Sequence, residues 1–169
     1  MHRLLEAGPR GGRLVRWLLR VPVGVYGRGW GPVFGHQFLL LVHRGRKTGR
    51  AHQTALKVLT YDKETRQVIV CSAWGRHIDW LRNLEAGPAV ELRIGRETFV
   101  PEHRFLTDDE SFAVVLEYRK QHPWMLRVFA WVLNAGDLRS DEAARDFVRS
   151  RPFISFEPAA SGAASSAAA

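Results

Sequence analysis

Seven consecutive residues, Arg44-Gly45-Arg46-Lys47-Thr48-Gly49-Arg50, put four cations and two glycines into one short stretch. Guanidinium groups fork onto phosphate and carboxylate oxygens, and a glycine-bearing turn lets backbone N–H groups converge on the same anion. The chemistry this offers is anion binding, with a solvated hairpin tip as the plainer alternative. Two further runs have side chains suited to a site, Cys71-Ser72-Ala73-Trp74-Gly75 and His77-Ile78-Asp79-Trp80-Leu81-Arg82-Asn83-Leu84. Ser72 is a candidate donor to a developing oxyanion. Tyr118 and His122 are either proton donors near an acceptor or surface residues. Trp124, Phe129 and Trp131 either wall an apolar site or pack a core.

Charge is placed unevenly. The net charge is +8, yet Ala7 to Tyr61 holds ten Lys/Arg and no acid, while residue 62 onward is slightly acidic. The basicity therefore belongs to the N-terminal third and points to a local anion site. Cys71 is the only cysteine, which excludes an intrachain disulfide and a Cys-based zinc site. In its apolar run it reads as a small buried hydrophobe rather than a nucleophile. The seven histidines lack metal-ligand spacing, so no metal is expected. No apolar run approaches a membrane span, and Arg13, Arg16 and Arg20 interrupt any signal-peptide core. The expected location is cytoplasmic, with contact at the inner face of the membrane as the alternative.

The elements that must position these residues follow from periodicity. Residues 10–21 read as a basic amphipathic helix, packed on the domain through its leucine face or lying on anionic lipid. A glycine- and proline-rich loop follows to residue 33. Strands are predicted over Phe38–Arg44, Ala51–Tyr61 and Gln67–Ser72, the last apolar enough to be buried on both faces. Helix His77–Ala86 ends at Gly87-Pro88. Val90, Leu92 and Ile94 alternate in a strand, Gly95-Arg96 turns, and Glu97–Phe105 returns as one strand. Thr107 and Glu110 make a capping box for a helix over 108–121. Trp124–Leu133 and Asp141–Arg149 are further helices, Phe153–Phe156 a last strand, and the Ala/Ser tail is expected to be disordered. Five or six strands in hairpin order with helices at both ends give an α+β fold around an antiparallel sheet or barrel, not alternating βαβ units.

In order and spacing, the three motifs at 43–50, 71–75 and 77–84 resemble the deazaflavin (F420)-dependent nitroreductase family. The similarity runs from about residue 34 to 105, and more weakly to 156. It implies an antiparallel split β-barrel, FMN-binding-like, with flanking helices. It divides the chain into a basic helix and loop (1–33), a barrel domain (34–157) and a tail (158–169). It implies coenzyme F420 as cofactor and hydride transfer to a hydrophobic small-molecule acceptor such as a quinone, an enone or a nitro compound.

Carried over by motif, the coenzyme contacts would be Arg44, Arg46, Lys47, Thr48, Gly49, Arg50, Thr54, Ser72, Ala73, Trp74, Gly75, Trp80 and Asn83, with Ser72 and Tyr118 catalytic. The sequence departs from the family pattern at Ala55, at Trp74, and at Ile78 and Leu81 within His77-Ile78-Asp79-Trp80-Leu81. Trp74 sets an indole beside the expected ring site and keeps open a non-catalytic binder of deazaflavin, or of another flavin or tetrapyrrole. Monomer or homodimer is expected, and no nucleic-acid motif accompanies the charge.

Overall fold

The computed structural model describes residues 35–133 and 135–160. The predicted helix over 10–21, the loop after it and most of the Ala/Ser tail lie outside the described residues. Among the described residues, seven strands form one antiparallel sheet: β1 Phe38–Arg44, β2 Ala51–Tyr61, β3 Val68–Cys71, β4 Ala89–Ile94, β5 Glu97–Phe99, β6 Pro101–Phe105 and β7 Phe153–Pro158. The helices among them are α1 Asp79–Ala86, α2 Asp108–Gln121, α3 Pro123–Val132 and α4 Asp141–Ser150.

The strand order is β5-β4-β1-β2-β3-β7-β6. The two outermost strands are neighbours in sequence, joined by Val100 alone, so the sheet curls into a nearly closed barrel. This corrects the single return strand expected over Glu97–Phe105. The chain pairs with β4 through Phe99, then swings at Val100 to pair with β7 from Pro101. A proline cannot donate to a ladder, so the change of partner falls where a bond would be missing anyway.

Alternation along the strands divides the core. Leu39, Leu41, Leu56, Val58, Val68, Val70, Ile154 and Phe156 fill the barrel. Ile69, Phe153 and the half-buried Cys71 face the other way, into a layer built with α2, α3 and α4. β3 is thus buried on both faces, as its apolar run requires. The capping box of α2 is complete: Glu110 N–H donates to Thr107 Oγ1, and Thr107 N–H donates to Glu110 Oε2.

Helix α1 closes one end of the barrel. Trp80, Leu81, Asn83 and Leu84 are its buried residues. Leu81 and Leu84 lie among the barrel side chains, which leaves Asn83 at the level of the rim. Leu81 is fully buried, so Leu81→Ala should cost about 2–5 kcal/mol of stability through the cavity it leaves. A denaturant midpoint shift at unchanged slope measures it.

Candidate functional site

The cationic turn is a compact coil. Gly45 N–H donates to Arg50 O at 2.8 Å, Thr48 N–H to Gly45 O at 3.2 Å, and Gly49 N–H to Gly45 O at 2.7 Å. Gly49 sits at φ +66, in the left-handed region that glycine occupies without strain. At Gly45 the constraint is space, because a Cβ there would stand 2.9 Å from both His52 Nε2 and Thr48 Oγ1. Thr48 Oγ1 accepts from Arg50 N–H at 3.4 Å, and Arg44 Nη1 donates to Gly49 O at 3.3 Å. The hydroxyl and one guanidinium of the motif therefore shape the turn.

Arg46 ties the turn to α1. Its backbone N–H and its Nη1 each donate to Asn83 Oδ1 at 3.1 Å, and Nη1 also reaches Asp79 Oδ1 at 3.0 Å. The Asp79 carboxylate is largely in water, so that ion pair adds little stability. The buried amide is the stronger link, since a polar group taken from water must find partners inside. Asn83 Nδ2 stands 3.0 Å from His43 Nδ1, and His43 Nε2 stands 3.1 Å from Thr54 Oγ1. An unbroken polar chain thus runs Asp79–Arg46–Asn83–His43–Thr54 across the rim of the barrel. Only 3% of His43 and 7% of Asn83 is exposed.

Burial lowers the His43 pKa from 6.5 to about 4, and the neighbouring His52, stacked at 5.9 Å between ring centroids, adds to the shift. Arg44, Lys47 and Arg50 have no acidic partner among the described residues, so the tip presents three uncompensated cations to solvent.

β2 pairs with β1 from Ala51 to Lys57, but with β3 only from Val58 to Tyr61. Among the described residues no strand pairs with its far edge from Ala51 to Lys57, so next to this turn the described barrel is open. The chain leaves β3 at this same end and forms the segment 72–76. Ser72 is fully buried and donates Oγ–H to Gly75 O at 2.5 Å. Gly75 adopts φ +83. Arg151 clamps the segment, with Nε donating to Ala73 O at 3.1 Å, Nη2 donating to Leu133 O at 3.2 Å, and the guanidinium over the Phe147 ring. Trp74 is exposed beside the opening.

Turn, β2 edge, segment 72–76 and α1 therefore meet at one end of the barrel, which brings together most of the residues singled out in the sequence. The exceptions are specific. Ser72 does not offer its hydroxyl outward, because Gly75 O takes it. Tyr118 is buried, not on the surface: it packs in the helical layer against His122 and Phe129, and burial together with nearby Cys71 pushes its hydroxyl up to about 12. That is the face opposite the barrel interior, and it does not join the turn. His122 is exposed. Trp80 is barrel core. Trp124 and Trp131 are neither core nor walls of a cavity, since both stand mostly in solvent. Cys71 behaves as a buried hydrophobe, its thiol pushed up to about 12 by burial.

Among the described residues no cluster of His, Cys, Asp and Glu could hold a metal. A cleft of about 190 Å3 lies between Arg76, Glu85, Asp108 and Phe153; it touches segment 72–76 and α1 through Arg76 and Glu85 but shares no residue with the turn. Sequence reasoning missed His43, His52 and Arg151. The signal for the first two was their position, since each flanks the turn on its own strand, but only pairing reveals that they stack.

The architecture is that of the split-barrel proteins. The family model described as F420H(2)-dependent quinone reductase matches residues 13–125, and the chain belongs to that family. Coenzyme F420 is the cofactor that membership carries. Among solved structures, an F420-H2 dependent reductase (FDR-A) is 20% identical over 73% of this chain and 96% of its own, at TM-score 0.46. A domain-swapped dimer is 14% identical over 85% and 98%, at TM-score 0.50. A pyridoxamine 5'-phosphate oxidase-related, FMN binding protein from Nostoc punctiforme PCC 73102 is 13% identical over 90% and 82%, at TM-score 0.43. At such identities only the fold can be compared, and of these three only the domain-swapped dimer reaches a TM-score of 0.50.

The lowered pKa of His43 makes stability depend on pH. The unfolded chain takes up a proton near pH 6.5 and the folded one near pH 4. The contribution is thus complete above about 6.5 and is lost as pH falls from there toward 4. Fully expressed, the difference is on the order of 3 kcal/mol. Denaturant titrations across this window should show the fall, and His43→Gln should flatten it.

Proposed function

We infer that the turn Arg44–Arg50 seats the anionic tail of F420 and that the coenzyme's ring lies over the open edge of β2. Thr54 would border it on one side and the segment Ser72–Gly75 on the other. On this reading the protein is an F420H2-dependent reductase whose acceptor is a hydrophobic small molecule of the quinone class. The observation that carries the reading is the trio of cations Arg44, Lys47 and Arg50, which have no acidic partner among the described residues and stand at the start of the β2 stretch that β3 leaves unpaired.

The residues fit the group. The coenzyme's phosphodiester and glutamates are anions, and the tip supplies guanidinium forks and an ammonium with no acid to compete. The turn is already folded against α1 through Asn83, so little order has to be gained on binding. When bound, the reduced coenzyme supplies a hydride. Thr54 and the segment Ser72–Gly75 would hold the ring, and the polar chain Arg46–Asn83–His43–Thr54 would keep Thr54 in place beside it. Ser72 acts on shape, holding Gly75 in its left-handed turn and so fixing where Trp74 projects. Trp74 offers an apolar wall against which a flat acceptor can stack. The opening is in contact with water, which provides the proton that completes the reduction.

The test is a titration with oxidised F420 and a turnover assay with F420H2 and a soluble quinone. Lys47→Ala should weaken binding about tenfold, the loss of one charge-assisted contact at a wet site. Affinity should fall as salt is raised. Quinone-dependent return of the oxidised coenzyme's absorbance would establish the activity. Binding without turnover on quinones, enones or nitroarenes would make the protein a carrier instead. Binding indifferent to all three tip cations would remove the proposed seat.

A further inference from the structure

We propose that His43 is a positioning residue that fixes the Thr54 hydroxyl as a hydrogen-bond donor toward the bound coenzyme. The proposal rests on the reading that Thr54 borders that coenzyme. It follows from which atoms in the buried chain can only donate. A backbone N–H and a guanidinium have no acceptor. Both the Arg46 N–H and Arg46 Nη1 end on one atom of the Asn83 side chain, each at 3.1 Å. That atom must be the carbonyl oxygen, so the other end of the amide is the NH2.

The NH2 donates to His43 Nδ1 at 3.0 Å, and Nδ1 must accept. A neutral imidazole that accepts at Nδ1 carries its proton on Nε2. Nε2–H donates to Thr54 Oγ1 at 3.1 Å. The threonine oxygen therefore receives a hydrogen bond from behind, and its own proton is directed elsewhere.

What surrounds the ring keeps it neutral. His52 stacks on it from β2, and Arg46 reaches it through Asn83 from the turn. Asp79 on α1 engages Arg46, not the ring. Thr54 is half-buried on the stretch of β2 that, among the described residues, has no partner strand on its far side. A threonine left alone can turn its hydroxyl either way, accepting or donating. Here the direction is set three groups away by Arg46 in the cationic turn, so the turn and the ring site share one polarity.

Asn83→Asp reverses it. A carboxylate cannot donate to Nδ1, so the ring moves its proton there, Nε2 becomes the acceptor, and the Thr54 O–H turns inward to it. Nitrogen-15 NMR of the unliganded protein at about pH 8.5, where the ring is neutral, should show the Nε2–H tautomer in the wild type and the Nδ1–H tautomer in Asn83→Asp. The same tautomer in both would overturn the proposal.

Calorimetry with oxidised F420 supplies the second readout. Thr54→Val should weaken binding about tenfold in the wild-type background and less than about twofold in the Asn83→Asp background. Equal losses would mean that Asn83 and Thr54 act separately, and would overturn the relay. Should Asn83→Asp not fold, the pair His43→Gln and His43→Leu replaces it. The glutamine keeps a donor at the reach of Nε2 and should preserve the tenfold cost of Thr54→Val, while leucine, which leaves the hydroxyl free to turn either way, should reduce that cost without abolishing it. If the wild type binds no F420, the functional reading falls, and the two tautomers alone then decide whether the relay exists.

Discussion

One buried amide holds this site together. Asn83 accepts two hydrogen bonds from Arg46 and donates one to His43, and through them it joins a solvent-exposed turn, a barrel strand and the helix that closes the barrel. The cost of burying a polar side chain is offset only when its hydrogen bonds are made. The network is therefore nearly all-or-none, and it gives the turn one docked geometry instead of the spread of states usual for a charged hairpin tip. The exposed cations at that tip repel one another in the absence of an anion. Docking through Arg46 is what keeps them gathered.

The barrel explains why the amide can be where it is. α1 enters the open end with Leu81 and Leu84 pointing into the core, and one face of an α-helix carries residues three and four apart. Asn83 lies between these anchors and is drawn in with them, to the depth at which β1 and β2 end. Where β2 outruns β3, the sheet leaves an edge unpaired. Unpaired edges are a liability unless covered, and the family's coenzyme is the cover proposed for this one.

The opposite face is specialised for stability. Tyr118, Cys71, Phe147 and Phe153 make a dry layer between sheet and helices. Groups that looked chemical by type are titrated out of use there, because burial disfavours their charged forms. Arg151 bridges the two faces. Its guanidinium lies over an aromatic ring of the helical layer while its N–H groups grip the loop that borders the slot.

Local signals were enough for much of the fold. The bounds of β1, β2 and α2 were legible because each rests on near-neighbour physics: an apolar alternation, a glycine turn, a capping box. The clustering of cations in an acid-free third was legible, since charge needs no folding to be counted. Three things were decided only by tertiary structure. Glu97–Phe105 has one continuous strand pattern, and only the closure of the barrel makes it change partners at Val100. Ser72 and Tyr118 carry hydroxyls in any conformation, but which way a hydroxyl faces depends on what packs over it, and both were enclosed. His43 and Asn83 stand forty residues apart with nothing local to link them. Their hydrogen bond exists because a hydrophobic helix face was driven into a barrel mouth, carrying one amide to the end of a strand.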